Sequence, residues 1–263
     1  MTKQGVIPKE FEGVKLPFCV SCAYGKSTRR NWRSKSSNNK DEVAKFTKLG
    51  ACISVDQLIS PTPGLIVQMT GRLTIKRYNC ATVYVDQYSS LSYVWPQKST
   101  SAEETLAGKK AFEMYAHHSG ITIERYHADN GIFREHQWVD DCTSKGQALT
   151  FAGVGIHHQN GVAERRIRVL QEMTRTLIIH AQHKWPQGIS SNLWPYALRL
   201  ANEAWNIAPN PRDIDKLSSV QRFTGSTAQA SIKRSIPFGC SAYVLEKSYS
   251  RDSHFINGRT AHG

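Results

Sequence analysis

A chain of 263 residues with 40% hydrophobic content can bury a sizeable core, which excludes wholesale disorder. Its 34 Lys and Arg against 21 Asp and Glu leave a net charge of +13, which points to a polyanionic partner: nucleic acid first, an acidic membrane surface second. The plain alternative is a soluble protein that is merely basic. No apolar run is long enough to span a bilayer, no signal peptide opens the chain, and the six cysteines are not spaced as a disulfide framework. A reducing cytosolic or nuclear setting, with no membrane partner, is expected.

Residues 1–48 hold eleven Lys/Arg against four Asp/Glu. Cys19 and Cys22 form a Cys-x-x-Cys pair, and Lys26-Ser27-Thr28-Arg29-Arg30 opens a run to Lys40 with almost no apolar residue. This composition makes a basic arm, in which Lys26, Arg29 and Arg30 suit phosphate contact, or a solvated linker. At about residue 49 the composition changes. Residues 51–59 read as a strand closed by the turn Ser60-Pro61-Thr62-Pro63-Gly64, and 82–86 and 91–95 as two more strands. Ser101 caps a helix running to about residue 118, with Glu103 and Glu104 at its positive start. Residues 121–126 alternate as a strand. A helix over 135–144 and a short strand over 148–151 follow.

The next helix, 161–183, carries an apolar stripe of Ala163, Ile167, Leu170, Thr174 and Leu177. One more helix covers 191–206, and from about residue 212 the chain is mixed and loop-rich. Trp185, Trp194 and Trp205 read as core aromatics, and Cys52, Cys80, Cys142 and Cys240 as buried thiols. The order predicts an α/β fold with a mixed sheet and helices on both faces. It divides into a basic start (1–48), a core (49–210) and a post-core extension (211–263).

Three acids stand out. Asp56 ends the apolar run Cys52-Ile53-Ser54-Val55, and Asp129 sits in His127-Ala128-Asp129-Asn130-Gly131. Glu164 lies in the first turn of the 161–183 helix, with 34 residues between it and Asp129. Singly, each has an ordinary explanation as a turn residue or a dipole-favoured helix start. Together, in so basic a chain, they suggest a divalent-metal site for phosphodiester chemistry. Such chemistry needs an activated nucleophile and relief of charge on the transition-state oxygens, and magnesium takes few carboxylates. Unshielded, the three would repel one another and shift their pKa values. Arg165, Arg168 and Arg175 lie along one flank of the helix, spaced to track phosphates; the alternative is a solvated face paired with Glu172. Asp86, at the end of a strand, is read as a turn residue, and the loop residues His157 and His158 are not assigned as ligands.

Taken in order, several segments resemble the integrase of Copia-type LTR retrotransposons over about residues 15–247. They are Cys19-x-x-Cys22, Asp56, Ala128-Asp129-Asn130-Gly131, the run Gln159-Asn160-Gly161-Val162-Ala163-Glu164-Arg165, Leu193-Trp194-Pro195-Tyr196-Ala197, and Phe238-Gly239-Cys240-Ser241-Ala242-Tyr243-Val244. The resemblance implies a ribonuclease-H-like core with Asp56, Asp129 and Glu164 as catalytic triad, holding Mg²⁺ or Mn²⁺. It implies trimming of the 3′ ends of element cDNA and their joining to host DNA, by a homo-oligomer working in the nucleus after a cytoplasmic particle stage.

The resemblance also implies a zinc domain of two histidines and two cysteines. Only Cys19 and Cys22 match it, and no histidine precedes Cys19, so a Zn²⁺ site is expected to be incomplete. A truncated polyprotein fragment is expected. Two other functions stay open: a catalytically inactive DNA-binding remnant, and a ribonuclease-H-like nuclease acting on RNA–DNA hybrids. The missing middle-helix acid of ribonuclease H and the Gln-Asn-Gly run speak against the nuclease.

Overall fold

A computed structural model of the protein describes residues 7–27, 46–66, 74–152, 160–210, 213, 215–227 and 236–241. Its centre is a five-stranded sheet made of β1 (Ile53–Leu65), β2 (Arg77–Asp86), β3 (Ser92–Gln97), β4 (Arg125–Ala128) and β5 (Ala148–Phe151), in the order β3-β2-β1-β4-β5. β2 runs antiparallel to both β1 and β3, and β4 and β5 are parallel to β1. Both faces are covered, so the inner strands are apolar nearly throughout. In β2 every residue from Cys80 to Asp86 is buried. This mixed sheet with helices on both faces is the ribonuclease-H-like α/β architecture expected from the sequence.

One layer consists of α2 (Ala102–His118) and α3 (His136–Ser144), with Phe112, Ala116, Trp138 and Cys142 packed on Ile53, Val55, Tyr84 and Tyr126. Opposite lie α4 (Gly161–Lys184) and α5 (Trp194–Ile207), with Ile167, Leu170, Ile178 and Leu198 on Leu58, Val83 and Val85. Strand alternation explains the split. Val55 and Gln57 face α2, while Asp56 and Leu58 face α4. Ser101 caps α2 as expected, accepting from the Glu104 N–H at 3.4 Å.

The α2 side also buries polar groups. Gln57 Nε2 donates to Thr105 Oγ1 at 2.9 Å, and Thr82 Oγ1 donates to Gln97 Oε1. Lys109 is wholly buried. Its ammonium donates to Glu113 Oε1 at 2.8 Å, Asp141 Oδ2 at 2.5 Å and Gln147 Oε1 at 2.7 Å, and lies over the rings of Tyr126 and Trp138. One cation thus joins α2, α3 and the chain entering β5.

Several sequence expectations change. The Pro61–Pro63 segment does not end the first strand. β1 continues to Leu65 with a register shift between Ile59 and Gly64, because prolines cannot donate to the ladder and bulge out of it. β4 begins at Arg125, although Ile121 and Ile123 are buried ahead of it. The α4 stripe rotates, burying Ile178 and Arg166, with Leu177 only partly covered. Trp194 is buried and Trp205 packs on its cluster, but Trp185 is 47% exposed because it lies past the last turn of α4. Cys52, Cys80 and Cys142 are buried free thiols, whereas Cys240 is exposed.

The extension also forms an unexpected helix, α6 (Ser219–Thr224), with a Ser218–Gln221 capping box. Its Phe223 stacks on Tyr115, 5.9 Å between centroids, and joins the α2-side core. In the basic start, α1 (Val20–Gly25) packs on α4 so closely that a Cβ on Gly25 would stand 2.1 Å from Thr176 Oγ1. Arg29, Arg30, His157 and His158 lie outside the described residues.

Candidate active site

The three acids are delivered by three different elements. β1 and β4 pair in parallel as Ile53↔Tyr126, Ser54↔His127 and Val55↔Ala128. The next residue in each chain is Asp56 on β1 and Asp129 after β4, so the register brings them side by side at the end of the ladder. Glu164 enters from α4, the layer that the Asp56 side of β1 faces. Asp56 Oδ1 accepts from the Gln57 N–H at 2.8 Å, and Asp129 Oδ1 accepts from the Gly131 N–H at 3.2 Å. This second bond forms the tight turn that the Asn130-Gly131 pair predicts.

The acids share an electrostatic neighbourhood. Burial pushes the Asp56 carboxyl up to about 6; the Gln57 N–H opposes this, and the charges of Asp129 and Glu164 push it further up. Asp86 differs. Wholly buried at the end of β2, it accepts from Ser89 N and Ser89 Oγ, both at 2.7 Å, and from Gly50 N at 3.1 Å. Every bond is to its own turn or the chain entering β1, so Asp86 is the turn residue that the sequence suggested. Burial raises its carboxyl even against these donors.

A raised carboxyl destabilises the folded state once it ionises. For Asp56 the favourable contribution is complete below the unfolded value near 4 and is lost as pH rises through about 6. Metal-free Asp56→Asn is therefore expected to unfold at higher urea than the parent at pH 7.5, by on the order of 2 kcal/mol. The difference should close below about pH 4. Equal midpoints at pH 7.5 would mean that Asp56 is not under this strain.

Three carboxylates suit a hard divalent cation in donor type, and their mutual repulsion is what a cation relieves. Among the described residues, however, no three His, Cys, Asp or Glu side chains stand close enough together to hold a metal ion. The acids are neighbours in charge rather than a preformed coordination sphere. They also lie outside two clefts, one of about 430 Å³ beside Leu58, Thr174 and Trp194, the other of about 470 Å³ beside Tyr93, Trp95 and Arg199.

Arg165, Arg168 and Arg175 are all exposed on α4, and among the described residues none is in an ion pair, with Glu172 or any other acid. Arg166, between them in sequence, points inward, donates to Ser90 O at 3.0 Å and Ser92 Oγ at 2.7 Å, and stacks on Trp205. Sequence reading missed it because an arginine in a basic helix looks solvated. Lys26 is exposed just past α1. Cys19 Sγ accepts from the Cys22 N–H at 3.3 Å, a bond that lowers its pKa, and no third metal ligand joins the pair among the described residues. Two thiols cannot close a four-ligand zinc site.

No family model matches the chain. Over 182 residues, 68% of its length, it is 26% identical to the retrovirus-related Pol polyprotein from transposon RE2 of Arabidopsis thaliana, and it spans 12% of that polyprotein. Similar solved structures include the HTLV-2 integrase catalytic core domain in complex with magnesium (17% identity, 65% of this chain and 95% of that one, TM-score 0.44). The catalytic core domain of BIV integrase is another (16%, 67% and 95%, TM-score 0.43). A third is the simian T-cell lymphotropic virus intasome in complex with PP2A regulatory subunit B56 gamma (17%, 75% and 60%, TM-score 0.48).

At these identities the fold assignment rests on the strand order of the chain itself, which defines a ribonuclease-H-like α/β domain. In sequence the chain is a relative of a retrotransposon Pol polyprotein, in line with the resemblance to Copia-type integrases carried by its own motifs.

Proposed function

We propose that the chain is the catalytic part of a DNA integrase, a polynucleotidyl transferase that trims the 3′ ends of retrotransposon cDNA and joins them to host DNA. The observation that carries this reading is the convergence of Asp56, Asp129 and Glu164 from β1, β4 and α4, in a basic chain related to a retrotransposon Pol polyprotein. Asp56, Asp129 and Glu164 are the residues to hold Mg²⁺ or Mn²⁺. Divalent cations held by these carboxylates would supply activation of a water or 3′-hydroxyl and relief of charge on the leaving oxygen.

The protein's own residues do the rest. Burial of Asp56 keeps part of the site dry, the Gly131 N–H holds one Asp129 oxygen, and the arginines of α4 bind phosphates without reading bases. DNA, as element ends and host target, is the partner, a homo-oligomer the working form and the nucleus the place. No role is assigned to zinc at Cys19 and Cys22.

A branched DNA that mimics the integration product, given to the purified protein with Mg²⁺ or Mn²⁺, tests this reading, with Asp129→Asn as control. Metal-dependent resolution that the control loses supports it. Silence with intact DNA binding would favour an inactive DNA-binding remnant, and preferential cleavage of RNA–DNA hybrid a nuclease.

The basic flank makes a separate expectation. Log affinity for duplex DNA should fall with log salt by about 0.9 per neutralised phosphate, and the triple change of Arg165, Arg168 and Arg175 to Ala should flatten that slope by about 2 to 3. An unchanged slope would remove α4 from the DNA surface.

A further inference from the structure

Asn160 stands at the N-cap of α4, where an asparagine ordinarily turns its side-chain oxygen onto the helix's first free N–H groups. It makes no such bond. Its Nδ2 instead donates across 105 positions of sequence to the Val55 carbonyl at 2.9 Å. The side chain is 1% exposed, and its Oδ1 has no hydrogen-bond partner among the described residues. A polar side chain serving only packing would not be expected to forgo its cap and leave a buried oxygen unsatisfied as well.

The bond falls at a particular place. Val55↔Ala128 is the last pair of the β1–β4 ladder, and the Val55 carbonyl belongs to the peptide that leads into Asp56. Asn160 precedes Glu164 by four residues, one helical turn. A short rigid path therefore runs from Glu164 down one turn of α4 to Asn160, across to the Val55 carbonyl and on to Asp56. The same device serves the third acid: Asn130, next to Asp129, donates Nδ2 to the Ala152 carbonyl at 2.6 Å, at the end of β5. Each carboxamide ties an acid-bearing segment to a strand beside the last pair of a parallel ladder, Val55↔Ala128 for Asn160 and Ala128↔Phe151 for Asn130.

We propose that Asn160 is a positioning residue that clamps α4 to β1 and sets Glu164 against Asp56, so that the acids hold a divalent cation together. This rests on the metal-site reading above. Because the acids do not stand close enough to hold a metal ion among the described residues, what fixes their approach decides how well they bind. Partners of this kind commonly change metal affinity by 10- to 100-fold.

The test is Mn²⁺ binding to the full chain without DNA, by calorimetric titration, with parent, Asn160→Ala and Asn160→Asp. The aspartate keeps the shape and one oxygen but cannot donate. Both variants are expected to bind Mn²⁺ about tenfold more weakly. In the branched-DNA assay kcat should fall with KM unchanged. Binding within twofold of the parent in both variants would overturn the clamp.

Asp129→Asn and Glu164→Gln run alongside. If they too bind like the parent, the metal-site reading has failed; if only they lose Mn²⁺, the clamp alone has failed. Should the Asn160 variants not fold, the parent decides through the Asn160 side-chain amide NMR signals. Slow exchange with solvent and a shift on adding Mg²⁺ uphold the clamp, and fast exchange or no shift refutes it.

Discussion

Glu164→Gln is expected to abolish metal-dependent resolution of branched DNA, by roughly 10³-fold or more, while duplex DNA binds as tightly as before or slightly tighter. Glu164 sits in the first turn of α4, half-buried, and its charge reaches Asp56 across the site. A glutamine matches its shape and keeps the helix, so the change removes one anionic ligand and little else. Losing several kcal/mol of transition-state charge stabilisation corresponds to three decades in rate, at about 1.4 kcal/mol per decade. On the proposed reading DNA affinity rests on exposed arginines of the same helix, which keep their charge and lose a nearby repulsive carboxylate. The informative comparison is single-turnover resolution beside equilibrium DNA binding, in Mg²⁺ and in Mn²⁺. Turnover within tenfold of the parent would take Glu164 out of the site. Parallel loss of turnover and DNA binding would instead indicate a disrupted surface.

Lys109→Met is expected to lower stability at pH 7 by about 3 kcal/mol, measured as urea midpoint times slope. Methionine replaces the buried stem almost isosterically. The deletion therefore isolates the ammonium, which meets Glu113, Asp141 and Gln147 and caps the rings of Tyr126 and Trp138. Its removal leaves two carboxylates facing each other, with only the half-exposed Lys145 still bridging them. The cost is that of uncompensated charge rather than of lost contact area.

The effect carries a pH signature. The Lys109 and Lys145 ammoniums hold the Glu113 and Asp141 carboxyls below their ordinary values against the opposing effect of burial. A lowered carboxyl contributes stability that is present above its unfolded value, near 4 for these acids, and lost as pH falls through its folded value. The deficit of Lys109→Met should therefore be full at pH 7 and shrink progressively below about pH 4. In the variant, adding Asp141→Asn should recover part of the loss at pH 7, since it removes one of the stranded charges. A deficit independent of pH would mean that packing, not charge, holds α2 to α3.

Much of this protein is legible in the chain alone, and the legible part is local. Ser101 before Glu104 predicts a cap, and that cap forms, because the serine oxygen needs only a neighbouring N–H. The 3.6-residue stripe of α4 and the gap of 34 residues between Asp129 and Glu164 are likewise local or countable facts. They suffice to place Asp129 just past a strand and Glu164 at a helix start, whereas Asp56, which ends an apolar run in sequence, lies inside β1. Asp86 is recognisable as a turn residue because two of its bonds go to Ser89 in its own turn, while the third, from Gly50, is supplied only by the fold.

What the sequence leaves open is decided by contacts between distant segments. The prolines at 61 and 63 look like an end of β1 until β2 is present to pair on either side of the bulge. Trp185 looks like core until the last turn of α4 leaves it outside. The burial of Lys109 and Arg166 is not signalled in the sequence, because partners more than thirty residues away in Asp141 and more than seventy away in Ser92 are invisible to any local pattern. Asn160, with Gly161, reads as a turn before the Glu164 helix, and only the folded sheet shows that its amide is committed to β1. Local hydrogen bonds and periodicity are written along the chain, whereas the desolvation of a charge or an amide depends on everything that packs around it.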